Sequence, residues 1–254
     1  VTWTDNGGSD GSGIGVKAQL YSAAGTAVGS EFIVNSTTSG QQYESAVAAL
    51  VGGGFVVAFR DDSGTDGSGA GILLRRFDAS GTAVGPDEVV NATIFSSSQF
   101  EPSITTLTGG GFVVTFTDAS GSDGSGWATY ARVYDNTGTA IGSEFLVPTQ
   151  TLNSQYNAQV ASLSDGGFVV VWHDDRGIDG GGLGIFAQQY DAVGAAVSGQ
   201  MQINQEFSGS QSFPVVTGLA NGAYVVAWQS VTNGTAGDGD GTGVFARIIG
   251  DPAN

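Results

Sequence analysis

Gly110 to Gly126 reads GGFVVTFTDASGSDGSG. A glycine turn leads into the apolar run Phe112-Val113-Val114-Thr115-Phe116, which ends in a loop of Asp, Ser and Gly. The pattern returns at Gly53–Gly69 (GGFVVAFRDDSGTDGSG) and Gly166–Gly182 (GGFVVVWHDDRGIDGGG), and in looser form from Gly222 (GAYVVAWQSVTNGTAGDGDGTG). VTWTDNGGSDGSG, at Val1–Gly13, carries only the later part of it. Phe55, Phe112, Phe168 and Tyr224 stand 57, 56 and 56 residues apart, and Gln42, Gln99, Gln155 and Gln211 follow the same spacing. A fixed period of this length marks a repeat architecture.

Each period reads as four extended segments. The first is short and alternating: Ala46–Leu50, Pro102–Leu107, Gln159–Leu163 and Val215–Leu219. A glycine turn of hairpin type follows. The second, such as Phe168–Trp172, is nearly continuous in apolar residues, as suits a strand buried on both faces. After the Asp/Gly loop comes a third segment: Gly15–Tyr21, Ile72–Phe77, Tyr130–Tyr134, Ile185–Tyr190 and Val244–Ile249. A turn opened by Asp and closed by Gly (Asp78–Gly81, Asp135–Gly138, Asp191–Gly194) fits a type I turn with its last residue at positive φ. The fourth segment, Glu31–Asn35, Glu88–Asn91, Glu144–Val147 and Met201–Asn204, is the most polar, as an outer edge should be.

No stretch has a helical apolar period, so the expectation is an all-β chain. Four antiparallel strands per repeat make a β-propeller blade, with the first strand at the central channel. The segment order also resembles the blades of bacterial propellers of the TolB type. A single repeat domain over 1–254 divides into units 1–41, 42–98, 99–154, 155–210 and 211–254, the first and last partial. The first lacks its opening strand and the last its closing one, so the chain reads as a segment of a longer polypeptide. Either an imperfect five-bladed ring or an arc of a larger array satisfies this count, and five blades are expected.

The string GGFVVxW…DGSGxGIxAQxYDAxGxAVGxEFxVN, strong at Gly167–Val197 and Val114–Val147, resembles the tandem repeat of very large secreted bacterial proteins of RTX-type, hemolysin-type calcium-binding or adhesin-like character. The resemblance covers nearly the whole chain. It implies an extracellular or cell-surface location and a structural or adhesive role. The calcium-binding nonapeptide G-G-x-G-x-D is absent. Gly7-Gly8-Ser9-Asp10 is the nearest approach and breaks the spacing, so calcium does not carry over from that motif.

Composition narrows the partners. There are 24 acidic residues against 7 basic, a formal charge of −17, which opposes nucleic acid and anionic membrane surfaces. No apolar run has the length of about 20 residues that spans a bilayer. With 0 cysteines, disulfides and thiol chemistry are excluded. Gly at 43 residues signals many turns.

The Asp/Gly loops bring carboxylates together at Asp5 with Asp10, Asp62 with Asp66, Asp118 with Asp123, Asp175 with Asp179, and Asp238 with Asp240. Oxygen donors on a glycine loop suit a hard cation such as calcium, the one cofactor the chain suggests. Under the plainer alternative each Asp caps its hairpin. Gln42, Gln99, Gln155 and Gln211, with Glu44, Glu101 and Asn157 two residues on, would form a polar ring at the channel mouth for a small ligand, or else tie blade to blade. Trp3, Phe59, Phe116, Trp172 and Trp228 recur once per repeat and read as plugs between blades, or as a stacking surface for sugars. Trp127 breaks the pattern and is a contact candidate; His173, the one histidine, reads as a satisfied structural residue.

Paired carboxylates recur in every repeat, whereas an active site should break the symmetry. The expected function is therefore a non-enzymatic extracellular structural or adhesion module, calcium-stabilised. Its partners would be glycans, other surface proteins or copies of itself. The alternative is a carbohydrate-binding propeller lectin, and after it a glycan hydrolase, for which Trp127, His173 and the expanded loop Ser230–Gly243 are the visible breaks in symmetry.

Overall fold

The computed structural model describes residues 1–177, 182–205, 209–231 and 241–250. They form five antiparallel sheets, each with its strands in sequence order. The first is β1 (Thr2–Asp5), β2 (Gly15–Tyr21) and β3 (Ala27–Ile33). The second is β4 (Gln42–Ala49), β5 (Phe55–Asp61), β6 (Gly71–Phe77) and β7 (Glu88–Val89). The third is β8 (Gln99–Thr106), β9 (Phe112–Asp118), β10 (Ala128–Tyr134) and β11 (Ala140–Leu146). The fourth is β12 (Gln155–Ser162), β13 (Phe168–Asp174), β14 (Gly184–Tyr190) and β15 (Met201–Gln202). The fifth is β16 (Ser210–Gly218), β17 (Tyr224–Val231) and β18 (Thr242–Ile249). This is a β-propeller of five blades in which, among the described residues, the first blade has no opening strand and the last no closing one, as the period predicts. Strands β4, β8, β12 and β16 pack one against the next, which makes them the inner strands.

The glycine turn has a steric cause. A Cβ on Gly54, Gly111 or Gly167 would run into the carbonyl oxygen of Phe77, Tyr134 or Tyr190 on the neighbouring strand. Only glycine lets the hairpin close there. The aromatic that follows then stacks on that same strand: Phe55 on Phe77 at 4.9 Å, Phe112 on Tyr134 at 4.6 Å and Phe168 on Tyr190 at 5.2 Å between centroids. In the outer turns Asp78 Oδ1 accepts from the amides of Ser80 and Thr82, both at 2.9 Å. Asp135 and Asp191 repeat this, and Gly81, Gly138 and Gly194 have φ of 85, 82 and 89°.

Packing between blades is a repeat of one contact. One face of each second strand meets the opposite face of the next, as Val56 and Ala58 of β5 meet Phe112, Val114 and Phe116 of β9. The recurring aromatics act as the plugs: Phe59, Phe116 and Trp172 are fully buried and Trp228 nearly so. Each such ring contributes on the order of 2–3 kcal/mol by leaving water. Among the described residues the four apolar clusters join blade one to two, two to three, three to four and four to five. The outward faces of the terminal blades stay exposed, with Tyr21 at 53% on the first and Val244 at 83% on the last.

The structure moves the start of two kinds of strand: the outer strands of blades one and three begin at Ala27 and Ala140, four residues before Glu31 and Glu144. The inner strands begin three to five residues earlier than the alternation predicts, at Gln42, Gln99, Gln155 and Ser210. A register shift interrupts each one, between Tyr43 and Ala46, Phe100 and Ser103, Tyr156 and Gln159, and Ser212 and Val215. The interruption breaks the period of two that marks a strand in sequence.

Candidate functional site

Two structures meet at one end of the inner strands. The first is a buried polar network. Asn91 Oδ1 accepts from the Ile72 amide at 2.8 Å, while its Nδ2 lies 2.8 Å from Asp66 Oδ2, 2.9 Å from the Ile94 carbonyl and 2.9 Å from Gln99 Oε1. Gln99 Nε2 passes the chain to Asp118 Oδ1 at 2.8 Å, and Asp118 Oδ2 accepts from the hydroxyls of Ser120 and Ser122. Asn35 joins Val16, Asp10 and Gln42 in the same way one blade earlier.

The network locates most of the predicted site residues. Gln42, Gln99, Gln155 and Gln211 are fully buried, so they do not form a ligand ring at the channel mouth. Their amides hold the loops. Asp10, Asp66 and Asp118 are engaged inward, and Asp5 is held below the usual carboxylate range by the Ser9 hydroxyl. By register, Asp61 and Asp174, not Asp62 and Asp175, are the counterparts of Asp118. Among the described residues no three His, Cys, Asp or Glu side chains gather as a metal group. Asp179, Asp238 and Asp240 lie outside the described residues.

Blade three breaks the network. Pro148 stands where Asn35 and Asn91 stand, and Ala128 where Gly15 and Gly71 leave room for the Asp carboxylate. Asp123 Oδ2 and Gln155 Oε1 are buried there without a partner. Burial, first, and the charge of Asp118 raise the Asp123 carboxyl above its usual range.

The second structure is a band of aromatics at the strand interruptions. Glu44, Glu101, Asn157 and Phe213 have φ of 52, 56, 55 and 52°, the left-handed region that non-glycine residues seldom occupy. Such backbone is concentrated at functional sites. The residues just before them, Tyr43, Phe100 and Tyr156, are half-buried and lie beside the loop rings. Trp127, 42% exposed, stands edge-on between Phe100 at 5.0 Å and Tyr156 at 5.6 Å. Tyr156 meets His173 at 5.1 Å, and His173 meets Phe213 at 5.8 Å. At the other end the Arg60 guanidinium lies 4.8 Å over Tyr43 and 5.9 Å from Phe100. The band therefore runs through blades two to five.

Carboxylates line it. Glu44 Oε2 accepts from the Glu101 amide at 3.0 Å, and Glu101 Oε2 accepts from the Asn157 amide at 2.9 Å and the Thr117 hydroxyl at 3.0 Å. Burial, aided by the charge of Glu44, raises the Glu101 carboxyl above its usual range against the pull of those donors. Asp62 accepts from the Tyr43 hydroxyl at 2.9 Å and holds Arg60 at 3.0 Å. Burial, then the Asp62 contact, pushes the Tyr43 phenol up to about 12. In blade four His173 Nε2 accepts from the Phe213 amide, and burial pushes the imidazole down to about 4, so it is neutral near pH 7. His173 is buried and not at the surface, and its Nδ1 has no partner, so only its Nε2 is satisfied.

Tyr43, Phe100 and Tyr156 were not picked out by sequence reasoning. The signal for them is the recurring Gln42-Tyr43-Glu44, Gln99-Phe100-Glu101 and Gln155-Tyr156-Asn157, an aromatic flanked each time by a polar pair.

No family model matches the chain, and no curated protein does. Solved structures do. An endo-arabinase from Bacteroides thetaiotaomicron VPI-5482 is similar at 14% identity and TM-score 0.54, over 98% of this chain and 88% of that one. An α-L-arabinanase from Penicillium chrysogenum, complexed with arabinobiose, is similar at 16% identity and TM-score 0.55, over 90% of this chain and 71% of that one. A Hadza microbial sialidase is similar at 12% identity and TM-score 0.57, over 94% of this chain but only 51% of its own length. Identities this low speak for the fold. They also overturn the expectation of a non-enzymatic structural or adhesion module, because the scaffold that repetition marked as purely structural is shared with enzymes.

Proposed function

We propose that this chain acts on glycans as a glycoside hydrolase, with its site on the aromatic band at the junction of blades three and four. The observation that carries the reading is Glu101: a half-buried carboxyl, raised above its usual range, on a residue whose backbone amide donates to the Glu44 carboxylate, beside an exposed tryptophan. Hydrolysis of a glycosidic bond uses two carboxyl groups, one protonated at working pH and one ionised. Glu101 is the acid. Its Oε2 already accepts two hydrogen bonds, so the proton resides on Oε1, free to pass to a glycosidic oxygen. Glu44 supplies the carboxylate, which takes a proton from the water that bonds to the anomeric carbon as the protonated glycosidic oxygen leaves. Trp127, Phe100 and Tyr156 present ring faces and edges against which sugars pack.

The same junction is where the repeat loses its symmetry, at Trp127, Ala128 and Pro148. The solved neighbours named as an endo-arabinase, an arabinanase and a sialidase support glycans as the substrate class.

Reducing-end release from arabinan, xylan and sialyllactose, by wild type and by the Glu101→Gln and Glu44→Gln variants, tests the reading. Turnover by wild type with a loss of about a hundredfold or more in Glu101→Gln is expected, as for removal of a general acid. Rates should fall as pH rises and Glu101 loses its proton. Turnover unchanged in Glu101→Gln would refute the assignment. The continuity of the band over four blades favours a second reading, glycan binding without turnover. Binding by a wild type that releases no sugar would select it.

A further inference from the structure

The band also constrains which glycans fit it, and this step rests on the glycan reading above. We infer that the site takes an interior stretch of an uncharged polysaccharide, and that it rejects sialic acid and uronic acid sugars.

The first argument is charge. A sugar carboxylate needs an accessible cation, and among the described residues the band offers none, its unpartnered guanidinium nitrogen, on Arg176, being buried. The guanidinium of Arg60 is held by Asp62 at 3.0 Å and approached by Glu44 at 3.9 Å, and its planar face is spent on Tyr43. His173 is buried, neutral near pH 7, and its Nε2 is engaged by the Phe213 amide. Arg176, at the end of β13, is only 6% exposed and is bound through Nε by both oxygens of Asp174, at 2.7 and 2.8 Å. Against these stand Glu44, Asp62 and Asp175, the last adding its charge to burial in raising the Tyr156 phenol, within a chain of net charge −17. A sugar carboxylate laid on the band would meet like charge in a partly desolvated setting, where one such contact weakens binding by about tenfold. An uncharged sugar pays nothing of this kind and gains the ring contacts.

The second argument is shape. A site for a single terminal sugar is a closed pocket with a few convergent polar groups. Here Phe100, Trp127 and Tyr156 follow one another at 5.0 and 5.6 Å, and the exposed Phe213 lies beyond them across the buried His173 ring, at 5.1 and 5.8 Å. Each step is about the advance of one sugar ring along a chain. Glu101 lies one residue from Phe100, so rings extend beyond it on both sides, Tyr43 one way and Trp127 the other. Such a run engages several consecutive sugars, and its carboxyl pair sits within the run and not at its end.

Titration calorimetry of the whole chain at pH 7 and low salt tests the inference, with four probes: linear arabinan, xylan, polygalacturonate and sialyllactose. Arabino- and xylo-oligosaccharides of increasing length complete the set. A neutral polymer should bind at least about tenfold more tightly than polygalacturonate. Its affinity should climb from disaccharide to tetrasaccharide. The discrimination should shrink as salt is raised, because screening weakens it. Asp175→Asn should strengthen polygalacturonate binding a fewfold and leave neutral binding unchanged, which separates charge from packing. Binding of polygalacturonate or sialyllactose as tight as that of the neutral polymers overturns the inference and leaves the glycan reading standing. Affinity that saturates at the monosaccharide overturns the interior-stretch part. No binding to any probe by folded protein defeats the glycan reading itself.

Discussion

Removing the Asn91 side chain should show how much of the scaffold depends on its polar network. Asn91→Ala strips one acceptor from the Ile72 amide and one donor from Gln99 Oε1, Asp66 Oδ2 and the Ile94 carbonyl. Gln99 is fully buried and Ile72 is too, so these two groups lose their partner with no route to bulk water. A buried polar group left unsatisfied costs about 1–3 kcal/mol, and two of them cost about 2–6. Asp66 is half-exposed and rehydrates, adding little. The expected loss is about 3 kcal/mol, a large share of the 5–15 kcal/mol typical of a domain. In thermal terms it is roughly 6–12 °C for a chain of this size. Urea unfolding followed by tryptophan fluorescence reads it directly, with the exposed Asn136→Ala as control. Asn91→Asp should be worse than Asn91→Ala, since it places a second carboxylate against Asp66. A cost for Asn91→Ala below about 1 kcal/mol, or equal to that of Asn136→Ala, would refute the claim that the amide holds the blades.

Blade three lacks this device, and grafting it there is the converse test. Ala128→Gly with Pro148→Asn restores room for the Asp123 carboxylate and a donor for Asp123 and Gln155; a gain of about 1–2 kcal/mol in the same assay is expected, and Pro148→Asn alone should gain less. His173 should make stability fall in acid. Its folded-state pKa, about 4, lies below the ordinary 6.5, so the folded chain binds its proton less readily than the unfolded one. That contribution is fully present above pH 6.5 and is lost as pH falls toward 4, about 3 kcal/mol in all. His173→Gln keeps an acceptor for the Phe213 amide and should flatten the pH dependence of unfolding in that window. Trp127→Ala should weaken oligosaccharide binding about tenfold while destabilising the fold by about 1–2 kcal/mol, less than loss of a fully buried plug, since 42% of the residue is already in water. A large stability loss instead would make Trp127 a packing residue, as the plugs are.

Sequence alone determines the period, the order of strands within a blade, the glycine turns and the aromatic plugs. These are local or repeated facts: a glycine where a Cβ would strike a carbonyl, an apolar run that only a strand covered on both faces can bury. Gly54, Gly111 and Gly167, with Phe55, Phe112 and Phe168 after them, are legible for that reason. The tertiary structure decides the rest. The same residue types, Gln and Asp, are spread over every loop, and their composition does not say which face each one takes. A one-residue difference in register sends Asp61 into the network with Gln42 and leaves Asp62 beside Tyr43. At Glu44 and Glu101 the backbone turns left-handed without a glycine to announce it, so the alternation that would have placed Tyr43 and Phe100 breaks off at the residues that matter most. Burial that no local pattern encodes, with the charge of Glu44 from the preceding blade, raises the Glu101 carboxyl against the pull of Thr117 and Asn157, donors 16 and 56 residues away.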